Sequence, residues 1–225
     1  MKKKRFLILL AVLVLALVFA VAGVAEQEAD ITEAEANITE TEADIAEAET
    51  GDADSEPSEG AAVRSIQFDE SAAPYEGVWV TFDDGFQLYL PGEWLTYDVT
   101  EEQSGVGLFF SASNDGGDAA AGETPMGVAV GYVDADGLAT LDDLFQDFER
   151  LTFANLEKRD VNGIPAVYFE QAGEDYRGVS FYHALYPDYV MTVYVTPMGE
   201  ANDAVRGVGD AILDSLTPYA PDAEE

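Results

Sequence analysis

The protein is a chain of 225 residues with a formal net charge of −35 at neutral pH, which arises from 45 aspartates and glutamates against 10 lysines and arginines. Such a surface repels phosphate backbones and anionic lipid head groups, so it argues against binding to nucleic acid or to an anionic membrane surface. The chain contains no cysteine, which excludes disulfides, thiolate metal sites, a cysteine nucleophile and a lipidated cysteine. The acidity favours solubility and attracts cations or basic partners.

The N-terminus has the layout of a targeting segment. Residues 2–5 are all basic, residues 6–25 carry no charge, and an acidic tract begins at Glu26. A helix needs about 20 apolar residues to cross a bilayer, and the small residues before Glu26 suit a signal peptidase. Residues 1–25 are therefore predicted to be a signal peptide or an N-terminal membrane anchor, with cleavage slightly favoured. Both alternatives place the rest of the chain outside the cytoplasm, secreted or anchored to the cell membrane by this segment.

An acidic repeat follows at residues 26–50. Ile31, Ile38 and Ile45 recur every seven residues, as in one position of a coiled-coil heptad. A short oligomerising stalk is one interpretation, which leaves the oligomeric state open. Three heptads are marginal for a coiled coil, and no lysine or arginine offsets the glutamates, so the pattern favours a solvated, partly helical spacer.

The composition then changes to Gly, Asp, Ser, Glu, Pro and Ala over residues 51–73. This composition predicts a disordered linker. The folded domain is expected to span residues 74–220, and residues 221–225 are expected to form an acidic tail.

The domain is predicted to begin with a β-hairpin. Residues 78–82 and 86–90 both alternate between apolar and other side chains, and the short Asp-Asp-Gly connection ends on Gly85, which reaches positive φ without a Cβ clash. Pro91 cannot donate to a ladder and should end the second strand. Trp94 is expected to fold back and bury its ring.

The remaining pattern predicts more strands and two helices. The first helix begins at a Thr140 cap with Asp143 three residues on, its apolar stripe continues to Phe153 or Leu156, and Arg150, Lys158 and Arg159 lie late on it. The predicted strands cover residues 106–111, 126–133, 164–171, 178–186 and 189–196, and the second helix covers 204–216. Strands joined by hairpin-length connections, with helices to cover them, predict an α+β fold with an antiparallel sheet.

Three stretches carry a family resemblance. They are Gly-Phe-Gln-Leu-Tyr-Leu-Pro-Gly-Glu-Trp at residues 85–94, Val-Asn-Gly-Ile-Pro-Ala at 161–166, and Ile-Leu-Asp-Ser-Leu at 212–216. Together with the helix at mid-domain they resemble the PsbP/Mog superfamily and its exported bacterial relatives. The resemblance implies an α/β/α sandwich with an antiparallel sheet flanked by helices, and a bias towards binding. It transfers no catalytic or cofactor-binding residue, because its motifs are packing and turn motifs.

Acidic loops offer one possible metal site. Asp134, Asp136 and Asp143 resemble three positions of a calcium loop, but Tyr132 occupies its first position and the bidentate glutamate is missing. A turn followed by a helix cap explains the same aspartates and is favoured. The sequence therefore predicts no cofactor, with calcium as the alternative.

The C-terminal strands are rich in tyrosine. Tyr182, Tyr186, Tyr189 and Tyr194 suit half-buried strands, which is the favoured interpretation, and they also suit a recognition surface. His183, the single histidine, fits a packed or half-exposed strand position better than a metal site.

The functional expectation is an exported, non-catalytic binding or protein-interaction module at the bacterial cell envelope. Its partner would be an envelope or extracellular protein, or a small ligand. A calcium-dependent surface module is the alternative. A hydrolase that uses carboxylates comes last, because adjacent acids arise by chance in so acidic a chain and adjacent strand residues point to opposite faces; it would require facing acids with raised pKa values in one pocket. The chain also has no Gly-rich phosphate loop and no Gly-x-Ser-x-Gly elbow.

Overall fold

A computed structural model of the protein describes residues 62–114, 125–151, 153–171, 175–199 and 202–220. The targeting segment, the heptad spacer and the C-terminal tail predicted from the sequence lie outside the described residues. None of the helices described is long and apolar enough to cross a bilayer.

The described residues form eleven strands and three α-helices. The strands are β1 (Arg64–Ile66), β2 (Gly77–Phe82), β3 (Phe86–Pro91), β4 (Leu95–Thr96), β5 (Leu108–Ser113), β6 (Gly127–Asp134), β7 (Ala154–Val161), β8 (Ile164–Gln171), β9 (Tyr176–Tyr182), β10 (Tyr189–Thr196) and β11 (Thr217–Pro218). The helices are α1 (Glu101–Gly105), α2 (Leu141–Arg150) and α3 (Asp203–Asp214), and Glu70–Ala72 forms a short 3₁₀ helix.

Eight strands make one large sheet in the order β1-β7-β8-β9-β10-β6-β5-β4. All neighbours in it are antiparallel except β1 and β7, which are parallel. Strands β11, β3 and β2 form a second, antiparallel sheet. The fold is α+β with a large, mostly antiparallel sheet, which confirms the predicted class.

The two faces of the large sheet carry separate cores. Because alternate residues of a strand point to opposite faces, Val167 and Phe169 of β8 pack with Leu144 and Phe148 of α2 on one face. Tyr168 lies in the other core. That second core also contains residues from the small sheet and the end of α3, namely Phe82, Phe86, Leu88, Leu90, Ile212, Leu213 and Leu216.

The β2–β3 hairpin is confirmed. Val80 pairs with Leu88, Gly85 has a φ of 93°, and β3 ends at Pro91. Trp94 is only partly buried, although it packs against the core as expected.

Helix α2 begins as predicted and ends earlier. Thr140 and Asp143 form a reciprocal capping box, and the helix stops at Arg150. The prediction that Lys158 and Arg159 continue this helix is wrong, because both lie in β7, a strand that the sequence pattern did not reveal. In β7 the basic side chains are buried, so apolar alternation is absent where a strand would normally show it.

The linker boundary also needs correction. The predicted linker reaches residue 73, yet Arg64–Ile66 form strand β1, which pairs in parallel with β7. Ile66 is buried in the core, and its carbonyl oxygen accepts a hydrogen bond from the Asn162 backbone N–H. A strand of three residues that packs through one apolar side chain leaves almost no periodic signal in the sequence.

Candidate functional site

A polar cleft of about 500 Å³ opens between α3 and strands β7 and β8. We call it the arginine cleft and define it by the charged side chains that line it, namely Arg64, Glu157, Arg159, Glu170, Arg206, Asp210 and Asp214. Its volume lies in the range of about 300–1,000 Å³ that is typical of small-molecule sites. Strand alternation aims the β7 and β8 side chains into it, and α3 supplies its members at a spacing of four residues, which keeps them on one helical face.

Glu170 forms the centre of a buried hydrogen-bond network. Its carboxylate accepts bonds from the Tyr168 hydroxyl at 2.5 Å, from Asn155 Nδ2 at 2.5 Å and from Arg206 Nη2 at 2.6 Å. Burial alone would raise the pKa of this carboxyl, but the three donors outweigh burial and hold it below its usual range. Glu170 is therefore a fixed anion that is 3% exposed.

The hydrogen-bond partners Tyr168 and Arg206 have raised pKa values, whereas the pKa of Glu170 is lowered. Burial, and then the bond to Glu170, raise the pKa of the Tyr168 hydroxyl. The bond to Glu170 raises the pKa of the Arg206 guanidinium. The network thus consists of a neutral phenol, a carboxylate and a guanidinium whose protonation states are all fixed at neutral pH.

Arg177 lies behind the cleft and is completely buried. Its guanidinium donates to the Met198 and Arg206 carbonyl oxygens at 2.8 and 2.5 Å and lies 3.4 Å from the Asp210 carboxylate. Burial lowers its pKa, and within the described part of the chain its Nε has no hydrogen-bond partner. Gly209 makes room for this guanidinium, since a Cβ there would collide with it.

Arg159 and Asp214 form a second charged group. The Arg159 guanidinium lies 3.6 Å from the centre of the Tyr168 ring and bonds Glu157 at 2.8 Å. Its Nη1 is 3.6 Å from Asp214 Oδ1, a buried atom that accepts no hydrogen bond from any residue described here. Burial raises the pKa of the Asp214 carboxyl, against the opposing effect of Arg159.

The cleft offers a ligand both cationic hydrogen-bond donors and anionic hydrogen-bond acceptors. Arg64 is 62% exposed and has one ion pair, to Glu157 at 3.6 Å. Arg206 uses Nη2 on Glu170, and its Nε lies 4.0 Å from Asp210. On the acceptor side, the Asp210 and Asp214 carboxylates line the cleft with side chains that are 43% and 31% exposed. The cleft can therefore donate to an anionic group and accept from a cationic one.

The aspartates that resemble a calcium loop form local hydrogen bonds in a turn and a helix cap. Asp134 accepts a hydrogen bond from the Asp136 backbone N–H at 2.8 Å, and Asp136 has a φ of 49° in the turn. The Asp143 carboxylate accepts from the Thr140 hydroxyl and from the Ala139 and Thr140 backbone N–H groups, and these bonds lower its pKa. Within the described ranges, no three acidic or histidine side chains come together in a way that could hold a metal ion.

The four predicted tyrosines separate into two pairs. Tyr194 is buried in the α2 core, and the Tyr182 hydroxyl donates to the Thr140 carbonyl oxygen. Burial raises the pKa of each to about 12. Tyr186 and Tyr189 are 61% and 40% exposed. The four tyrosines therefore do not form one common surface, because Tyr194 is buried and Tyr182 is half-buried, whereas Tyr186 and Tyr189 are exposed.

His183 has the structural position expected for it. It is 5% exposed, its Nδ1 accepts from the Leu185 and Tyr186 backbone N–H groups, and its Nε2 lies 3.1 Å from Asp84. It joins the β9–β10 turn to the β2–β3 turn.

Sequence reasoning missed the arginine cleft. Its signal is the position of the basic residues: only six lysines and arginines follow residue 5, namely Arg64, Arg150, Lys158, Arg159, Arg177 and Arg206. Four of these six contribute to the cleft or the network behind it. The spacing of Arg206, Asp210 and Asp214 by four residues would have placed them on one helical face.

No family model matches the chain, and no curated protein matches it. Among solved structures, the chain is similar to one from Bacteroides thetaiotaomicron VPI-5482, with 12% sequence identity and a TM-score of 0.38. The similarity covers 66% of this chain and 50% of that one, so the matched part spans about half the length of the solved protein.

Proposed function

We propose that the protein is an exported, non-catalytic binding module that holds a small polar ligand in the arginine cleft. The observation that carries the proposal is the convergence of three arginines on one cleft, with a fourth buried directly behind it, in a chain of net charge −35. Guanidinium groups recognise carboxylates and related anions through paired donors. Scarce cations gathered at a cavity are better explained by recognition than by solubility.

The proposal includes a location for the module outside the cytoplasm. Export depends on residues 1–25, whose basic start and uncharged run are typical of a targeting segment. The acidic residues that follow would hold the domain away from the membrane, at the bacterial cell envelope or beyond it. Helices on both faces of the large sheet support the finer proposal of a PsbP/Mog-like α/β/α sandwich.

Binding suits the central carboxylate better than catalysis does. A general base must be able to accept a proton from substrate, whereas Glu170 already accepts three hydrogen bonds and has a lowered pKa. Fixed charges of this kind orient a ligand without reacting with it.

One observation favours a second candidate, a carboxylate hydrolase. Asp214 combines a raised pKa with an unbonded buried oxygen in the same cleft as the ionised Glu170, and two carboxyls with separated pKa values can serve as acid and base. Hydrolysis of a panel of glycoside and ester substrates that disappears in Asp214→Asn would establish this candidate. Absence of turnover, together with ligand binding, would remove it.

Thermal unfolding of the full chain in detergent tests the binding proposal. The ligand panel contains amino acids and short peptides, organic acids, amines, sugars and inorganic phosphate, each at millimolar concentration. A ligand that binds only the folded state raises the melting temperature. We expect at least one class to do so, and the rise to be lost in Arg64→Gln but kept in Arg150→Gln, whose side chain is exposed on α2 outside the cleft. Equal responses in both variants, or no response to any class, would contradict the proposal.

A further inference from the structure

The charges of the arginine cleft and of the network behind it balance. Arg64, Arg159, Arg177 and Arg206 contribute four positive charges. Four carboxylates oppose them, namely Glu157, Glu170, Asp210 and Asp214. A ligand with a net charge would leave an uncompensated charge in a partly desolvated site, and such a charge is costly.

The side chains that remain available to a ligand include both cations and anions, and they line the same cavity. Arg64 has a largely exposed guanidinium with one long ion pair, and Arg206 is 35% exposed with one short bond, to Glu170. The Asp210 and Asp214 side chains are 43% and 31% exposed, and the ion pair from Asp214 to Arg159 is long, at 3.6 Å. The first pair suits a carboxylate, and the second pair suits an ammonium group.

We propose that the ligand of the arginine cleft is a small zwitterion that carries a carboxylate and an ammonium group, the chemistry of a free amino acid or a short peptide with free ends. This inference rests on the proposed function. Arg64 and Arg206 receive the carboxylate, and Asp214 with Asp210 receives the ammonium. The remaining lining is mostly polar, with Leu156 and the Tyr168 ring as its apolar parts, so the site selects on the charged ends more than on side chains.

The test is isothermal titration of the full chain with peptides that differ only at their ends. Diglycine carries both charges, N-acetyl-diglycine carries only the carboxylate, and glycylglycinamide carries only the ammonium. A hydrogen bond to a charged group is worth about 1.5–3 kcal/mol, so we expect diglycine to bind at least about tenfold more tightly than either blocked form. Glycine and triglycine, run alongside, distinguish a free amino acid from a peptide as the source of the zwitterion.

Variants assign the two ends separately. Arg64→Gln should remove the preference for diglycine over glycylglycinamide, and Asp214→Asn should remove the preference over N-acetyl-diglycine. Arg150→Gln should leave both preferences unchanged. Since Arg64 is largely exposed, its variant remains informative even where Asp214→Asn alters folding.

Each other outcome overturns the inference in an identifiable way. Blocked peptides that bind as tightly as diglycine, preferences that survive in both variants, or free-ended probes that do not bind all exclude a zwitterion. Binding of an organic acid, amine or sugar in the cleft, lost in Arg64→Gln, would overturn the zwitterion alone and leave the proposed binding function standing. No binding of any class would overturn both.

Discussion

Strand β8 meets two helices through two different kinds of surface. Its residues Val167 and Phe169 pack with Leu144 and Phe148 of α2 in a wholly apolar contact, in which the Phe148 and Phe169 rings meet edge to face at 5.1 Å. On the other face, Glu170 of the same strand reaches α3 through Arg206, in a contact made of charges.

The difference shows that an apolar contact is sufficient to hold a helix on this sheet. Helix α3 itself uses apolar packing near its C-terminal end, where Ile212 and Leu213 are fully buried. Buried ion pairs are weak stabilisers, because removing the charges from water offsets most of their attraction, and apolar residues of similar volume often replace them without loss. The ionic contact under the first half of α3 is therefore better explained by ligand recognition than by a contribution to stability.

The largest expected effect comes from removing one member of the buried network. Arg177→Ala leaves Asp210 without its buried partner and the Met198 carbonyl oxygen without its donor. Because Arg177 is fully buried, its removal also opens a cavity and leaves the Arg206 carbonyl oxygen without its donor, so we expect the free energy of unfolding to fall by about 3–5 kcal/mol, as measured by urea denaturation at neutral pH. Leu144→Ala on the α2 face is the matched control and should lower it by about 2–5 kcal/mol through a cavity. A loss under about 1 kcal/mol for Arg177→Ala would show that the charges on the α3 face are not interdependent.

Glu170→Gln should have a smaller effect that depends on pH. The substitution weakens three hydrogen bonds to a charged group, and we expect a loss of about 1.5–3 kcal/mol at neutral pH. The pKa of Glu170 is lower in the folded protein than in the unfolded chain, so its contribution is complete above the unfolded pKa and disappears as the pH falls through the folded pKa. Denaturation curves of the two proteins should converge on acidification; a gap that stays constant would argue against an ionised Glu170.

Asp214→Asn should act in the opposite direction and by less. Burial raises the pKa of Asp214, so the folded protein holds that proton more tightly and the ionised carboxyl lowers stability at neutral pH. The asparagine removes this penalty but also the long, mostly buried ion pair to Arg159, whose loss offsets part of the gain. We expect a net gain below about 1 kcal/mol at neutral pH that vanishes below the unfolded pKa of the carboxyl. If Asp214→Asn instead lowers the free energy of unfolding by an amount that grows with pH, the pKa of Asp214 is lowered by folding and not raised.

The sequence predicted the apolar face of this comparison and missed the ionic one. The stripe that contains Leu144 and Phe148 and the cap at Thr140 identify α2 because their spacing follows the helical period. The hairpin and strands β8 and β10 were predicted for the same kind of reason, since period-two alternation and turn residues are local signals.

Strand β7 and the arginine cleft gave no such signal. The inward residues Glu157 and Arg159 on β7 are charged, so the alternation that marks a strand is hidden and the stretch looks like a helix terminus. The cleft depends on pairings over long sequence separations, such as Glu170 with Arg206, which no local pattern encodes. Charged residues that are buried because they meet each other are identifiable only once the fold brings them together.

The most direct test replaces the ionic contact with an apolar one and measures binding. Tyr168→Phe, Glu170→Met and Arg206→Met together remove the charges that join β8 to α3 while keeping the volume, so we expect unfolding free energy within about 1 kcal/mol of the parent. The folded triple variant is then titrated with the compound class that stabilises the parent. Recognition by the arginine cleft predicts that binding is lost while stability is kept. Binding equal to that of the parent would contradict it and would leave the charged contact as packing alone.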